Sequence, residues 1–272
     1  MLTRKAAVMG KPIAHSLSPV IHNAGYQELG LNFSYTAIEC DEAALAGVVK
    51  ELGQEWAGLS LTMPLKEVAL TVADEASEVA TAIGAANTLV RKEGVGWYAD
   101  NTDVSGMVMA LREAGVGKLR SMAILGAGGT ARAALGAAAR LGTKRVVLFA
   151  RRREVMAELE PVAEALHLSL SYLGWEGVER CAMHDVVIST VPKGVADGLR
   201  PNWRQGTVVF DVVYDPWPTP LAEGAQAKGC RIVSGLDLLL DQALGQFELF
   251  TGEPAPAAAM REALFEAAAA RR

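Results

Sequence analysis

The chain has 272 residues, of which 51% are hydrophobic and 21% charged, and its formal net charge is −5 at pH 7. This length and apolar content suffice for one large domain or two ordinary ones and exclude a disordered chain. The negative charge argues against nucleic-acid binding, and no apolar run reaches the roughly 18 residues of a membrane span.

Two further features bear on the cellular compartment and on metal binding. The N-terminal residues contain no long apolar segment of the kind that a secretory signal requires. The three cysteines, Cys40, Cys181 and Cys230, form no CxxC pair and have no metal-ligand spacing with the histidines. We therefore expect a cytoplasmic protein with free thiols and no bound metal.

The first part of the chain shows the hydrophobic periodicity of an αβ region. In chain order we predict a strand at 5–9, a helix at 19–29, a strand at 33–38, a helix at 41–52, a strand at 56–61 and a hairpin of strands 87–91 and 96–99. The first of these helices is expected to be capped by Ser18, with Pro19 at its first position. A further helix is predicted over 104–114, ending at Gly115.

A second αβ region is predicted from 121 to 234. Its strands are predicted at 122–125, 146–149, 186–189, 208–211 and 231–233, with helical stretches between most of them. Strands that alternate with helices indicate a parallel sheet covered on both faces. Two more helices, at 236–250 and 256–270, are too many for another strand–helix unit, so we expect them to return and pack on the first region.

The turn after the strand at 122–125 has the composition of a pyrophosphate cradle. Gly126 permits a tight turn, Gly128 lets the backbone approach phosphates, and Ala131 lets the following alanine-rich helix pack closely on the sheet. The helix N-terminus would offer its backbone N–H groups to an anion. This order of strand, glycine turn, helix and second strand predicts dinucleotide binding, and the alternative is a glycine-rich turn without a ligand.

The end of the second strand of this unit indicates which dinucleotide is preferred. NAD-binding chains usually place Asp or Glu there, against the ribose 2′-hydroxyl, whereas this chain has Arg151 followed by Arg152 and Arg153. A guanidinium binds a 2′-phosphate bidentately, and a carboxylate would repel it. The arginines therefore favour NADP, and the alternative is a solvated, arginine-rich start of a helix.

Four polar clusters in the first region lack the pattern of a core and are candidates for a substrate site. They lie at 15–19, 59–66, 84–88 and 100–103. Each has an ordinary alternative when taken singly, because Ser18 suits a helix cap, Lys66 a surface position and Asp103 an N-cap. The spacing of the four histidines indicates no ligand site.

With these motifs in this order, the chain resembles the shikimate dehydrogenases over nearly its whole length. The matching motifs are S-x-S-P at 16–19, T-x-P-x-K at 62–66, G-A-x-N-T at 84–88, N-T-D-x-x-G at 101–106, G-A-G-G-x-x-R at 126–132, and later motifs at 211–221 and 235–243. The resemblance implies an oxidoreductase that carries out the NADPH-dependent, reversible reduction of 3-dehydroshikimate to shikimate, on the route to chorismate and the aromatic amino acids. It also implies an α/β fold of two αβ domains, an N-terminal substrate domain at 1–104 plus the returning helices at 236–272, and a Rossmann-like NADP domain at 105–235.

The resemblance also implies roles for individual residues. Lys66 and Asp103 are the implied catalytic pair, in which a cationic lysine donates the proton to the developing alkoxide and the aspartate holds the lysine in place. The implied substrate-binding residues are Ser16, Ser18, Thr62, Asn87, Tyr214 and Gln242. The implied NADP(H)-binding residues are Gly126, Ala127, Gly128, Gly129, Thr130, Arg132, Arg151, Arg152 and Gly235. The implied partners are small molecules, without nucleic acid or membrane, and the protein is expected to be a monomer or homodimer.

The chain departs from the family pattern at three places. The replacements are Ser60 for an asparagine, Ala150 and Arg152 for the asparagine and threonine that flank Arg151, and Leu238 for a methionine. Ser60 keeps a small polar side chain at its position, and Leu238 is a conservative apolar replacement. The altered residues around Arg151 leave dual use of NADP and NAD open.

Two alternatives to the leading interpretation have different functions. One is a quinate/shikimate dehydrogenase of the same fold with relaxed cofactor use, against which Arg151 argues. The other is a non-catalytic nucleotide sensor, against which the presence of both Lys66 and Asp103 argues.

Overall fold

The computed structural model describes residues 2–271. Contacts between Cα atoms divide the chain into two compact units, Met1–Ser105 with Leu239–Arg272, and Gly106–Leu238. Each unit is built around its own six-stranded sheet. Within residues 2–271, no helix combines the length and the apolar character needed to cross a membrane.

The first unit contains a mixed sheet. Its elements, in chain order, are β1 (Arg4–Gly10), α1 (Ser18–Glu28), β2 (Phe33–Glu39), α2 (Glu42–Glu51), β3 (Trp56–Leu61), β4 (Glu75–Ala76), α3 (Glu78–Ile83), β5 (Thr88–Lys92), β6 (Gly96–Asp100) and α4 (Thr102–Glu113), with a 3-10 turn at Val68–Thr71. The strand order is β2-β1-β3-β5-β6-β4. Strand β1 is parallel to β2 and β3, whereas β5 runs antiparallel to its two neighbours, β3 and β6.

The apolar runs in β1 and β3 explain why these strands are central. Residues Ala6 to Met9 are at most 3% exposed, as expected for a strand covered on both faces. Residues Ala57 to Leu61 are buried in the same way. Because the two strands are parallel and Met9 pairs with Leu61, the segments that follow them leave the sheet at one edge.

The second unit contains a wholly parallel sheet. Its elements, in chain order, are β7 (Met122–Leu125), α5 (Gly129–Arg140), β8 (Arg145–Ala150), α6 (Met156–Ala165), β9 (Ser169–Gly174), β10 (Val186–Ser189), β11 (Val208–Asp211), α7 (Pro220–Gln226) and β12 (Arg231–Ser234). All five strand pairs are parallel, in the order β9-β8-β7-β10-β11-β12. This is the Rossmann order 3-2-1-4-5-6, in which ligands bind at the carboxyl ends of the strands where the order reverses, here between β7 and β10.

The C-terminal helices return to the first unit, as predicted. They are α8 (Gly235–Thr251) and α9 (Ala257–Ala269). Both contact α1 at Gly25, where a Cβ would lie 2.7 Å from a ring carbon of Phe247 and 3.1 Å from the side chain of Met260. The absence of a side chain at Gly25 therefore lets the three helices pack closely.

Most predicted elements are confirmed, and several have the predicted limits. The strands with unchanged limits are β3, β7, β10 and β11. Elements β4, α3 and β9 were not predicted. Strand β9 has no continuous apolar run, since its sequence is Ser-Leu-Ser-Tyr-Leu-Gly, and none of its residues is fully buried. Strand β4 has only two residues, too few for any periodicity.

Two predicted helix starts are wrong. Leu17 already has helical dihedral angles, so α1 begins at Ser18, and the side chain that accepts from its first turn is that of Ser16. Likewise α4 begins at Thr102, and the side chain of Asn101 accepts from the backbone N–H of Asp103 at 3.1 Å. Ser18 and Asp103 are therefore not caps, and their side chains are available for other contacts.

The junction between β12 and α8 requires glycine at position 235, because a Cβ there would overlap the carbonyl oxygen of Val212. We expect Gly235→Ala to lower the free energy of unfolding by about 2 kcal/mol or more, since a backbone oxygen cannot move aside as a flexible side chain can. Gly224→Ala on α7 is the matched control, because its Cβ would meet no atom within 4 Å and alanine favours a helix. Urea unfolding measures both changes, and equal stability of the two variants would contradict the close approach.

Candidate active site

Lys66 and Asp103 form a close ion pair in the first unit. Lys66 lies on the turn after β3, and Asp103 lies in the first turn of α4. Nζ of Lys66 donates to Oδ2 of Asp103 at 2.5 Å, and the two side chains are 14% and 6% exposed. Because little water reaches the pair, its electrostatic interaction is stronger than that of a surface salt bridge.

Asn87, directly before β5, holds the carboxylate of Asp103 from the other side. Its Nδ2 donates to Oδ1 of Asp103 at 2.9 Å and to the hydroxyl of Thr102 at 3.0 Å. Its Oδ1 accepts from the backbone N–H of Thr102 and from the hydroxyl of Thr88, both at 2.8 Å. A primary amide has two N–H donors and two acceptor lone pairs, and all four have partners within the protein, so a ligand that bonds to this side chain must replace one of them. The carboxylate thus has one oxygen on Lys66 and the other on Asn87.

Helix α8 brings Gln242 to the same cluster. Nδ2 of Asn87 lies 3.4 Å from Oε1 of Gln242, whose own Nε2 donates to the carbonyl of Leu239 at 2.9 Å. Gln242 is 7% exposed. The structure therefore joins by direct contacts four of the residues singled out from the sequence, namely Lys66, Asp103, Asn87 and Gln242.

The three hydroxyl residues of the expected substrate site lie in the same unit, after β1 and β3. Ser16 is half-buried, and its Oγ accepts from the backbone N–H of Ser18 at 3.3 Å. Ser18 itself is 4% exposed. Thr62 is half-buried and packs against Gly10, where a Cβ would overlap its methyl group. Ser16 and Thr62 are therefore more accessible to a ligand than Ser18.

Tyr214 belongs to the second unit, on the segment after β11. The carboxylate of Asp211, at the end of β11, accepts from the hydroxyl of Thr219 at 2.8 Å and from the backbone N–H of Val213 at 3.3 Å. Burial raises the pKa of Asp211, and these two hydrogen bonds act in the opposite direction. Asp211 thus holds the backbone on both sides of Tyr214, which is half-buried.

The glycine turn after β7 has the geometry predicted for it. Gly126 has a φ of +103°, and a Cβ there would lie 2.6 Å from Oγ1 of Thr190, so only glycine fits. Gly128 is exposed, with no atom near the position of a Cβ, and it is the N-cap of α5 without a side-chain hydrogen bond. Ala131 is fully buried, which confirms the close packing of α5. The turn and first residues of α5 comprise Gly126, Ala127, Gly128, Gly129 and Thr130.

The three arginines implied in NADP binding differ in solvent exposure. The side chain of Arg132, in the first turn of α5, is 10% exposed, and its Nη2 lies 3.5 Å from Oε2 of Glu158 on α6. Arg151 and Arg152 are exposed and follow directly on β8. Arg132 is thus bound within its own unit, whereas Arg151 and Arg152 present their guanidinium groups at the surface.

These features of the second unit fit an NADP molecule. The uncapped start of α5 and the open backbone at Gly128 suit a pyrophosphate. The exposed guanidinium groups after β8 suit a phosphate on the adenosine ribose. Both lie at the carboxyl ends of strands next to the reversal of strand order, where a doubly wound sheet binds its ligand.

Three residues beside the Lys66–Asp103 pair were not singled out as site residues from the sequence. They are Tyr35, Ser60 and Gln246, which hydrogen-bond to one another and to the segment that carries Asn87. One signal was available for Gln246, because it follows Gln242 by four residues and therefore lies on the same face of α8. No local pattern pointed to Tyr35.

Comparisons with known proteins show the family of the chain. Two family models match the chain, the shikimate dehydrogenase substrate binding domain at residues 8–89 and the shikimate 5′-dehydrogenase C-terminal domain at residues 235–265. A curated relative, the shikimate dehydrogenase (NADP(+)) of Moorella thermoacetica, is 39% identical over 97% of this chain and 94% of its own length. The chain belongs to the shikimate dehydrogenase family.

Solved structures of the family and its neighbours have the same fold. The shikimate dehydrogenase of Mycobacterium tuberculosis is 42% identical, with a TM-score of 0.86 over 97% of this chain and 99% of that one. The shikimate 5-dehydrogenase of Thermus thermophilus, in complex with NADP(H) and shikimate, is 32% identical, with a TM-score of 0.85 and the same coverage. The quinate dehydrogenase of Corynebacterium glutamicum, in complex with NAD, is 28% identical, with a TM-score of 0.87 over 97% of this chain and 99% of that one. The predicted family and the predicted α/β fold are confirmed.

An aromatic cluster around His22 packs beside the hydrogen-bonded residues of the first unit. The His22 ring stacks on Tyr35, with centroids 4.2 Å apart and planes 2° apart, and it also contacts Phe247 and Phe250. Burial lowers the pKa of His22 to about 3, and the amide of Gln246 opposes this shift to a smaller extent. The imidazole is therefore neutral in the folded protein near pH 7.

We expect acidification to destabilise the fold, because unfolding lets His22 bind a proton that the native state excludes. An unperturbed histidine has a pKa of 6.5, whereas the pKa of folded His22 is about 3, so stability is lost as the pH falls from 6.5 towards 3. The slope from this group is at most about 1.4 kcal/mol per pH unit. His22→Phe keeps a ring against Tyr35 but cannot titrate, so its free energy of unfolding should depend less steeply on pH. Urea unfolding at several pH values measures both slopes, and equal slopes would contradict a buried neutral imidazole.

Proposed function

We propose that this protein catalyses the reversible, NADPH-dependent reduction of 3-dehydroshikimate to shikimate. Membership of the shikimate dehydrogenase family supports the reaction. The observation that carries the chemistry is the ion pair of Lys66 and Asp103, with Nζ and Oδ2 2.5 Å apart in a poorly hydrated setting. A reaction of this class in aromatic amino-acid biosynthesis would take place in the cytoplasm.

The proposed division of labour follows the two parts of the chain. Residues 1–104 with 236–272 bind the substrate and handle the proton, and residues 105–235 bind NADP(H). Reducing a ketone adds a hydride to carbon and a proton to oxygen, and bound NADPH supplies the hydride. The ammonium group of Lys66 stabilises the developing alkoxide and donates the proton, which it takes back in the reverse direction. Asp103 keeps Nζ of Lys66 in one place and balances its charge.

The proposed substrate contacts suit a ring that carries a carboxylate and several hydroxyls. They are made by Ser16, Ser18, Thr62, Asn87, Tyr214 and Gln242. Each buried oxygen of the substrate needs a hydrogen-bonding partner, and small hydroxyl and amide groups provide one without adding net charge. Asn87 also contributes indirectly, because its amide orients the carboxylate of Asp103.

The proposed NADP(H) contacts combine backbone and guanidinium groups. They are made by Gly126, Ala127, Gly128, Gly129, Thr130, Arg132, Arg151, Arg152 and Gly235. Arg132 acts mainly by holding the start of α5 through Glu158. Arg151 and Arg152 bind the phosphate that distinguishes NADP from NAD.

A second candidate, a quinate/shikimate dehydrogenase with relaxed cofactor use, is favoured by the high TM-score to the NAD-bound quinate dehydrogenase. The deciding experiment follows absorbance of the reduced nicotinamide with shikimate or quinate as substrate and NADP or NAD as cofactor. Fast reduction of NADP with shikimate, and little with the other combinations, supports the main proposal. Comparable rates with quinate or NAD would favour the second candidate, and NADP binding without any turnover would favour a nucleotide sensor.

Replacing Lys66 should abolish most turnover without affecting the NADP site. We expect Lys66→Met to lower kcat by about 10²- to 10⁴-fold, the usual contribution of a general acid. Lys50→Met, at an exposed position on α2, is the matched control and should keep the parent rate. NADP affinity, measured by fluorescence titration, should be the same in all three proteins. Parent-like turnover by Lys66→Met would refute the role assigned to the lysine.

Removing the Arg151 guanidinium should change cofactor choice. We expect Arg151→Ala to raise KM for NADP by about 10- to 100-fold, the cost of one charge-assisted hydrogen bond, and to leave KM for NAD nearly unchanged. Arg145→Ala is the matched control, because Arg145 is exposed at the opposite end of β8. Initial rates with both cofactors measure the ratio, and an equal effect on NADP and NAD would show that Arg151 does not bind the 2′-phosphate.

A further inference from the structure

A buried series of hydrogen bonds ends on the carboxylate of Asp103. We call it the array, and its members, from the outside inwards, are Tyr35, Ser60, Gln246, Thr88, Asn87 and Asp103. Each of these residues is at most 4% exposed. We propose that Gln246 is a positioning residue, which holds Asn87 in the orientation that fixes the carboxylate of Asp103. This inference rests on the proposed function of the Lys66–Asp103 pair.

Gln246 holds Asn87 at two points. Its Nε2 donates to the backbone carbonyl of Asn87 at 3.0 Å and to the hydroxyl of Thr88 at 3.0 Å. The Thr88 hydroxyl then donates to Oδ1 of Asn87 at 2.8 Å. The backbone and the side-chain oxygen of Asn87 are therefore both restrained by one amide on α8.

The orientation of both amides follows from the backbone groups they meet. A carbonyl oxygen only accepts, so the NH₂ end of Gln246 must face the carbonyl of Asn87. A backbone N–H only donates, so Oδ1 of Asn87 must face Thr102, and its Nδ2 is left to face Asp103. The donor direction is thus the same along the whole array, and it terminates on an anionic acceptor.

The outer end of the array is also held. The Tyr35 hydroxyl donates to Ser60 at 2.6 Å, and Ser60 donates to Oε1 of Gln246 at 2.7 Å. Burial raises the pKa of Tyr35 far above its usual value, so its hydroxyl keeps the proton that it donates. The ring of Tyr35 stacks on His22, which limits its movement.

The consequence for catalysis is geometric. Gln246 lies two hydrogen bonds from the carboxylate of Asp103, through Asn87, and makes none of the contacts proposed for the substrate. Losing its NH₂ group removes the donor to the Asn87 carbonyl and to the Thr88 hydroxyl, so that Thr102 is left as the restraint on Oδ1 of Asn87 that does not depend on Gln246. The carboxylate of Asp103 is then held less firmly, and with it Nζ of Lys66. A displacement of about 1 Å at a reacting group can cost about 10²-fold in rate.

The test compares three variants of the full-length protein. Gln246→Met keeps the side-chain length but has no donor, and we expect it to lower kcat for shikimate oxidation by about 10- to 100-fold. Gln246→Glu keeps the acceptor for Ser60, and it regains a donor only when protonated, so its kcat relative to the parent should rise as the pH falls. Gln27→Met, at an exposed position on α1, is the matched control. NADP affinity and thermal stability are recorded for each variant, so that loss of fold is separated from loss of positioning.

A second readout does not depend on turnover. The side-chain NH₂ signal of Asn87 in NMR spectra should be protected from hydrogen exchange in the parent and in Gln27→Met, and unprotected in folded Gln246→Met. Reduced kcat with lost protection supports the proposal, and parent-like kcat or retained protection in Gln246→Met overturns it. If the parent itself does not oxidise shikimate, the proposed function fails, while Asn87 protection still decides whether Gln246 positions that residue.

Discussion

A carboxylate removed from water must be paired, and this requirement at Asp103 organises the first unit. Asp103 is 4% exposed, and an isolated charge at such a position would be strongly unfavourable. One oxygen is matched by the ammonium of Lys66 and the other by the amide of Asn87. These groups come from the ends of three different elements, β3, β5 and α4, so the sheet must bring those ends together before the charge can be accommodated.

The need to satisfy buried polar groups then extends outwards from Asp103. Asn87 is itself 2% exposed, so its polar groups must be satisfied; Thr88 donates to its side-chain oxygen and Gln246 to its backbone carbonyl. Gln246 in turn requires Ser60, which is the donor to its side-chain oxygen. The hydroxyl of Ser60 both donates to Gln246 and accepts from Tyr35, and an array of this kind rigidifies a core when every member is satisfied.

The second unit meets a different physical requirement. Gly128, Arg151 and Arg152 are all exposed, and donors that reach solvent in this way are suited to an anion such as a phosphate. Its buried polar groups, such as Asp211, serve to hold the backbone of a turn. The first unit thus surrounds a carboxylate with buried, hydrogen-bonded side chains, whereas the second presents exposed backbone and guanidinium donors.

The sequence by itself determined much of this protein. Apolar runs predicted the strands at 56–61 and 122–125, and motif order predicted the family, the α/β fold and the candidate residues Lys66 and Asp103, because these signals are local in the chain. Tertiary structure alone decided that Ser60 bonds to Gln246, 186 positions away. A local pattern records how one segment repeats its polarity, whereas a hydrogen bond between distant side chains depends on how helices and sheet pack together.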